Sequence, residues 1–241
     1  MTQYLYLLLN IGSISVPFIF SFHPKLEFYK MWPALGLSII INMMVFIPWD
    51  HVFTINGFWG FDANYLCGIS LYELPIEEWL FFICIPYACV FMHHAILVFH
   101  KEKQLPVKLT NSISACLFLI FTALVIMYWD KWYSVINFSY GIILLTLVVW
   151  KSNELLRHYY VTFLFMLIPF IIVNGILTGT ELEDPIVWYN NFENMGIRLG
   201  TIPVEDTTYA FTLILGNLVL TEYFFLKFKS QKPIDSVNVS N

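Results

Sequence analysis

Residues 68–78 read GISLYELPIEE and residues 196–206 read GIRLGTIPVED. Glycine, isoleucine, leucine, proline and the first glutamate recur 128 positions on, and Glu78 is answered by a second acid, Asp206. Each stretch stands immediately before a long apolar run. Proline followed by acids is an ordinary helix start, because acids favour the positive end of the helix dipole by about 0.3–1 kcal/mol. One such motif would need no other explanation. Two, at equivalent places, point to a repeated helical unit. They also put carboxyl groups at the mouths of two apolar spans, where ionisable side chains are costly and functional by default.

The whole chain agrees with a membrane reading. Its 241 residues are 59% hydrophobic, 19% aromatic and only 12% charged, with mean hydropathy +0.70. A soluble domain carries about 25% charged residues, so a soluble globule and a disordered chain are both excluded. The net charge of −5 gives no reason to expect nucleic acid. Spans of about 20 apolar residues fall at 4–22, 32–48, 76–99, 112–129, 132–150, 159–177 and 207–226. The first lacks the basic leader and small-residue cleavage site of a signal peptide, so it is read as a helix. The fold class expected is all-α, a polytopic membrane protein with seven transmembrane helices.

Ten of the twelve cations lie in alternate loops and in the tail: Lys25 and Lys30; Lys101, Lys103 and Lys108; Lys151 and Arg157; Lys227, Lys229 and Lys232. Lys131 and Arg198 fall on the other side. The positive-inside rule then places the N-terminus outside and the C-terminus in the cytoplasm, in the cytoplasmic (inner) membrane. Two long aromatic and acidic loops, roughly 49–75 and 178–206, lie outside. Their rings, Trp59 and Trp188 among them, suit either interfacial anchoring or a lid over an embedded site. The polar residues 229–241 read as a disordered cytoplasmic tail.

A shift of 128 residues lays helices 1, 2 and 3 on helices 5, 6 and 7. The two halves, 1–110 and 132–228, lie an even number of spans apart and so share one orientation, with helix 4 (111–131) as the link. Parallel repeats of this kind are related by an axis along the membrane normal. That axis sets both acidic motifs at one depth, able to face each other. Adjacent helical positions differ by about 100°, so if Glu77 faces Glu205 then Glu78 and Asp206 point elsewhere, or the reverse. The repeat-identical pair, Glu77 and Glu205, is the slightly favoured choice. Facing carboxyls in a low-dielectric site hold one proton between them, an arrangement suited to acid–base chemistry.

Other polar groups read mostly as structure. His94 and Glu222 stand at positions related by the shift and are expected to form a structural ion pair tying the halves. Asn42, Asn174 and Asn217 read as interhelical hydrogen-bond donors. Phe81, Phe82 and Tyr209 are packing residues whose rings could stabilise a cation if they face the acids. His93, His94 and His100 lack the spacing of a metal triad, and Cys67, Cys84, Cys89 and Cys116 read as apolar packing. No GxGxxG follows a strand and no P-loop occurs. No lysine lies within a span to form a retinal Schiff base. On these grounds alone a transporter and an enzyme stand near parity.

The stretches LPIEEWLFFICIPYACVF and GIRLGTIPVEDTTYAFTLILGNLVLTEYFF, in tandem, resemble the membrane-type lycopene cyclases. These occur as heterodimeric subunits in actinobacteria, as fused chains in other bacteria and archaea, and as the cyclase half of fungal phytoene synthase/lycopene cyclase. The resemblance covers residues 1–228. It implies a lycopene β-cyclase of carotenoid biosynthesis, an intramolecular lyase or isomerase needing no cofactor and no metal. Glu77, Glu78, Glu205 and Asp206 would be catalytic, and Phe81, Phe82, Tyr209, Trp59 and Trp188 would contact substrate. Implied partners are lycopene or a related apolar carotenoid, the lipid bilayer and other carotenoid-pathway enzymes. Alternatives within the resemblance are a C50 or ε-ring cyclase and a carotenoid hydratase.

Overall fold

The computed structural model describes residues 2–230; of the expected tail 229–241, Lys229 and Ser230 continue the last helix, and the rest, with Lys232, lies outside the described residues. Seven α-helices account for most of it: α1 Leu5–Phe20, α2 Trp32–Ile55, α3 Ile76–Phe99, α4 Val107–Met127, α5 Trp132–Lys151, α6 Asn153–Leu177 and α7 Glu205–Ser230. The last six are long and apolar enough to cross a membrane, consistent with an integral membrane protein. The first is apolar but has only 16 residues, about 24 Å at 1.5 Å per residue. It stops short of the expected 4–22, the chain tightening into an i−3 turn in which the His23 amide bonds the Phe20 carbonyl at 3.0 Å.

The second helix departs the other way. The apolar run was expected to end at residue 48, yet α2 runs through Pro48 to Ile55. Proline removes one backbone bond, and that loss is offset by packing beyond it, where Phe53 is buried with Trp59 and Tyr133. The helix ends at Asn56, and Gly57 adopts φ +69°. That extra stretch carries Asp50 inward, 2% exposed.

α7 lies at the centre, buried almost all round from Thr208 to Leu218, as expected of a helix with neighbours on every side. It packs on α2 and α5 and, less extensively, on α3 and α6. α1 packs on α3, and α4 packs on α5 with only Thr110, Ser114 and Phe121 buried. The largest core cluster joins α2, α3, α5, α6 and α7 around Tyr159, Phe211 and Leu215.

The two long loops form a cap at one end. Strands β1 (Trp59–Phe61) and β4 (Val187–Tyr189) pair antiparallel, with Gly60 opposite Trp188, and so fasten one loop to the other. Each acidic motif is a two-strand hairpin leading into its helix: β2 Ser70–Leu71 with β3 Leu74–Pro75, and β5 Arg198–Leu199 with β6 Ile202–Pro203. Ser70 pairs with Pro75, and Arg198 with Pro203. Gly68 and Gly196 both take positive φ, +87° and +69°, at the hairpin entries.

One expected contact is absent. His94 donates from Nε2 to the Leu26 carbonyl at 2.8 Å and packs on the Phe28 ring. The segment between α1 and α2 folds beneath the bundle and satisfies His94 there, so among the described residues it forms no ion pair with Glu222.

The β2–β3 turn places Tyr72 and Glu73 at φ +52° and +59°, a left-handed conformation that costs L side chains about 1–2 kcal/mol per residue. Replacing the pair by Asn-Gly, the residues such two-residue turns favour, is expected to raise stability by about 1 kcal/mol. The thermal midpoint in detergent measures it, and an unchanged or lower midpoint contradicts this reading of the turn.

Candidate functional site

The first acid of each motif holds its own cap. Glu77 is fully buried; its Oε1 accepts the Cys67 amide at 2.7 Å, and its backbone carbonyl accepts Asn10 Nδ2 at 2.8 Å. Glu205, also fully buried, accepts the Met195 amide at 2.7 Å and the Ser134 hydroxyl at 2.6 Å, while its carbonyl accepts Asn137 Nδ2 at 2.6 Å. In each case the loop amide ten residues upstream is fixed by the carboxylate. Charge-assisted bonds of this type are the stronger ones. These two side chains are therefore committed to the cap, and neither is among the residues lining the cavity that Glu78 and Asp206 share.

The second acid of each motif, rotated by about 100°, faces inward. Glu78 Oε2 accepts the Tyr6 hydroxyl at 2.5 Å. Asp206 collects three donors: Tyr133 at 2.5 Å and Asn174 at 2.8 Å, with Tyr189 at 3.0 Å. Both acids line one cavity of about 590 Å³, whose walls are otherwise almost wholly apolar and aromatic. A third carboxyl joins them. Asp50 neighbours Glu78; its Oδ1 accepts Trp59 Nε1 at 2.6 Å, and its Oδ2 is buried without a partner among the described residues. No lysine, arginine or histidine lines the chamber among the described residues. The nearby Arg198 guanidinium lies behind it, 5.9 Å from the Tyr189 ring.

The phenols serve as fixed donors. Burial, and then the adjacent Asp206 carboxyl, raise the Tyr189 phenol well above its usual range, so it keeps its proton for the bond it makes. Trp59 stands edge-on to Tyr133 at 5.1 Å and to Tyr209 at 6.5 Å, and Tyr133 stacks on Tyr189 at 5.8 Å. Ring faces of this kind stabilise positive charge within about 6 Å. The chamber thus offers carboxyl groups and aromatic walls in a desolvated space, the requirements for proton transfer to and from an apolar molecule through a cationic state.

Of the residues singled out from sequence, Glu78, Asp206, Phe81, Tyr209 and Trp59 line this cavity. Phe82 does not; it is buried on the other side of α3 against Phe46. Trp188 is 41% exposed and covers Gly60 from outside. Sequence reasoning passed over Asp50, Tyr6 and Tyr133. A signal for the tyrosines existed: Tyr6 precedes Glu78 by 72 residues and Tyr133 precedes Asp206 by 73. Asp50 has no such echo.

Comparison with known proteins adds the family. The profile described as lycopene cyclase matches residues 3–96 and 130–224, a span holding every acid, phenol and amide above and leaving out α4. Among curated proteins, a bifunctional lycopene cyclase/phytoene synthase of Aspergillus oryzae is 35% identical over 52 residues, 22% of this chain and 9% of that protein. Proteins of the same description from Arthroderma gypseum and Pyrenophora tritici-repentis are 27% identical over 85 residues and 34% over 62. These cover 35% and 26% of this chain but only 13% and 10% of those proteins, so the chain spans a small part of the relatives it matches. No solved structure matches.

Removing the cap bonds tests the division of labour between the paired acids. Glu77→Ala and Glu205→Ala each leave a part-buried amide without its acceptor, and Glu205→Ala the buried Ser134 hydroxyl as well, at a cost of about 1–3 kcal/mol. The expected result is a lower thermal midpoint with faster proteolysis of the 56–75 or 190–203 loop respectively. An unchanged midpoint would show that these carboxylates do not hold the cap.

Proposed function

The chain belongs to the lycopene cyclase family, and on that premise we propose that it is a lycopene β-cyclase working in the membrane, with Glu78 and Asp206 as its proton-handling pair. One observation carries the reading: the second acids of the two motifs, 128 residues apart in sequence, are both buried and line the same apolar cavity.

The reaction is an isomerisation. A proton adds at C2 of a ψ-end, the cation at C1 is captured by the C5=C6 double bond, and a proton leaves C6, so nothing is gained or lost. The hydrogen-bond pattern supports distinct roles for the acids. Asp206, facing three donors and no acceptor, is suited to be the carboxylate that steadies the cation and takes up the departing proton. Glu78 receives a single donor and sits beside Asp50. Two neighbouring carboxyls in an apolar space share a proton that is less readily lost than from either alone, which suits Glu78 to be the donor. The roles earlier given to Glu77 and Glu205 pass to their neighbours, because those side chains are occupied by loop amides. Trp59, Tyr209 and Phe81 border the cation, and exclusion of water protects it from capture.

The architecture proposed around this site is two parallel three-helix units joined by α4. The recurring hairpins, and the paired bonds from Asn10 to Glu77 and from Asn137 to Glu205, support it. The cation distribution supports an outward-facing cap in the cytoplasmic membrane.

Expression in a lycopene-accumulating host tests the reaction. The unaltered chain is expected to give products isobaric with lycopene and carrying β-rings. Glu78→Gln and Asp206→Asn are expected to lower conversion by about 10²-fold or more at equal membrane levels, the usual scale of acid–base catalysis. A product heavier by one water, ε-rings, or full conversion by either variant contradicts the proposal.

A further inference from the structure

We infer that the molecule has one polyene groove, running along α3 from the acids and open on its flank, so that the two ends of a carotenoid are processed in separate binding events. The inference rests on the cyclase reading above and adds how the substrate lies and how many sites exist.

The floor of the groove is a single face of α3. Glu78, Phe81, Ile85, Ala88, Met92 and Ala95 follow at spacings of three and four, and all line the cavity, which continues to Ile96. From Glu78 to Ile96 the helix rises about 27 Å. An extended C40 polyene is on the order of the ~30 Å hydrocarbon core in length, so the groove takes most of such a chain lengthwise. α1 and α6 both pack on α3 and supply the two walls. At the acid end these walls meet through Tyr6 and Leu177 beneath the cap. Further along they part. Gly12 faces space with no atom within 4 Å of a Cβ placed there, and Val16 on the same wall is 59% exposed. The chamber is thus sealed at the acids and open along the apolar flank, which suits entry of a linear hydrocarbon end-first from lipid.

A second, equivalent groove would lie on α7, where Asp206, Tyr209, Leu213 and Gly216 stand 128 positions on from Glu78, Phe81, Ile85 and Ala88. It is filled. α2 lies against that face, with the Ser38 hydroxyl donating to the Asn217 carbonyl at 2.8 Å, and a Cβ on Gly216 would come within 2.6 Å of Asn42 Oδ1. The upper residues of α7 border the same cavity as α3 instead. Every carboxyl in it therefore serves one ψ-end at a time, and a bicyclic product requires the half-finished molecule to leave and return reversed.

Two measurements on the purified full chain in lipid vesicles test this. First, Gly12→Trp, from a position facing open space, and Ala95→Trp, from a half-buried position on the groove floor, fill the groove and are compared with Ile172→Trp, on an exposed face of α6 outside it. Lycopene retained through gel filtration and lycopene turnover are both expected to fall at least tenfold in the first two and to stay level in the third. Equal retention in all three overturns the groove. Retention by the unaltered chain without any cyclised product would instead overturn the cyclase reading and leave the groove standing. Second, isotopically labelled lycopene is followed by an excess of unlabelled lycopene. The labelled monocyclic product is expected to accumulate first, and the chase to suppress labelled bicyclic product. Labelled bicyclic product from the earliest turnovers, undiminished by the chase, overturns the single site.

Discussion

A carboxyl group removed from water must be met by donors or keep its proton, because an isolated charge in an apolar interior is too costly to persist. Five buried acids at the cap end of this bundle are met by donors in two ways, with one oxygen each of Glu77, Glu205 and Asp50 left without a partner among the described residues, and the structure follows from the difference. Glu77 and Glu205 are answered by backbone amides ten residues upstream, which shapes the hairpins and orients α3 and α7. Glu78, Asp206 and Asp50 are answered by phenols, an amide and an indole arranged round a cavity. The first set builds the site and the second occupies it.

The two inward acids are not equivalent, and the inequality suits a reaction with a donor and a receiver. Asp206 draws Asn174 from α6, whereas Glu78 has Asp50 from α2 beside it. An amide in one place and a carboxyl in the other give one acid an extra donor and the other a rival for a proton. The helices show a matching asymmetry, with α2 packed extensively on α7 and α6 more sparingly on α3. That looser contact leaves room beside α3 for a long apolar molecule.

Much of this is legible in the sequence. The helices, the doubled motif and its acids follow from hydropathy and a 128-residue shift, and α3 spans the residues expected of it. The choice between adjacent acids was not legible, because it depends on helix rotation, and the rotation is fixed by Cys67 and Met195 amides whose direction no local pattern reveals. Asp50 was passed over because the apolar run was read as ending at residue 48, which put it in the 49–75 loop, whereas it lies inside α2. The pairing of Gly60 with Trp188 joins distant loops and has no local signature, so the sequence left Trp188 open between anchoring, a lid and substrate contact, and the structure places it on the outside of the cap. His94 was assigned a partner by the shift, but the Leu26 carbonyl claims it, because the segment between α1 and α2 has no matching length between α5 and α6.

The central claim is that the second acids of two distant motifs flank a reacting alkene in one water-free chamber. An experimental structure of the chain in a lipid nanodisc with lycopene bound tests it most directly. The account predicts one polyene per chain, its ψ-end between the Glu78 and Asp206 carboxyls and its conjugated chain along α3. A carotenoid seated elsewhere, or water filling the space between those two carboxyls in the bound state, would contradict it.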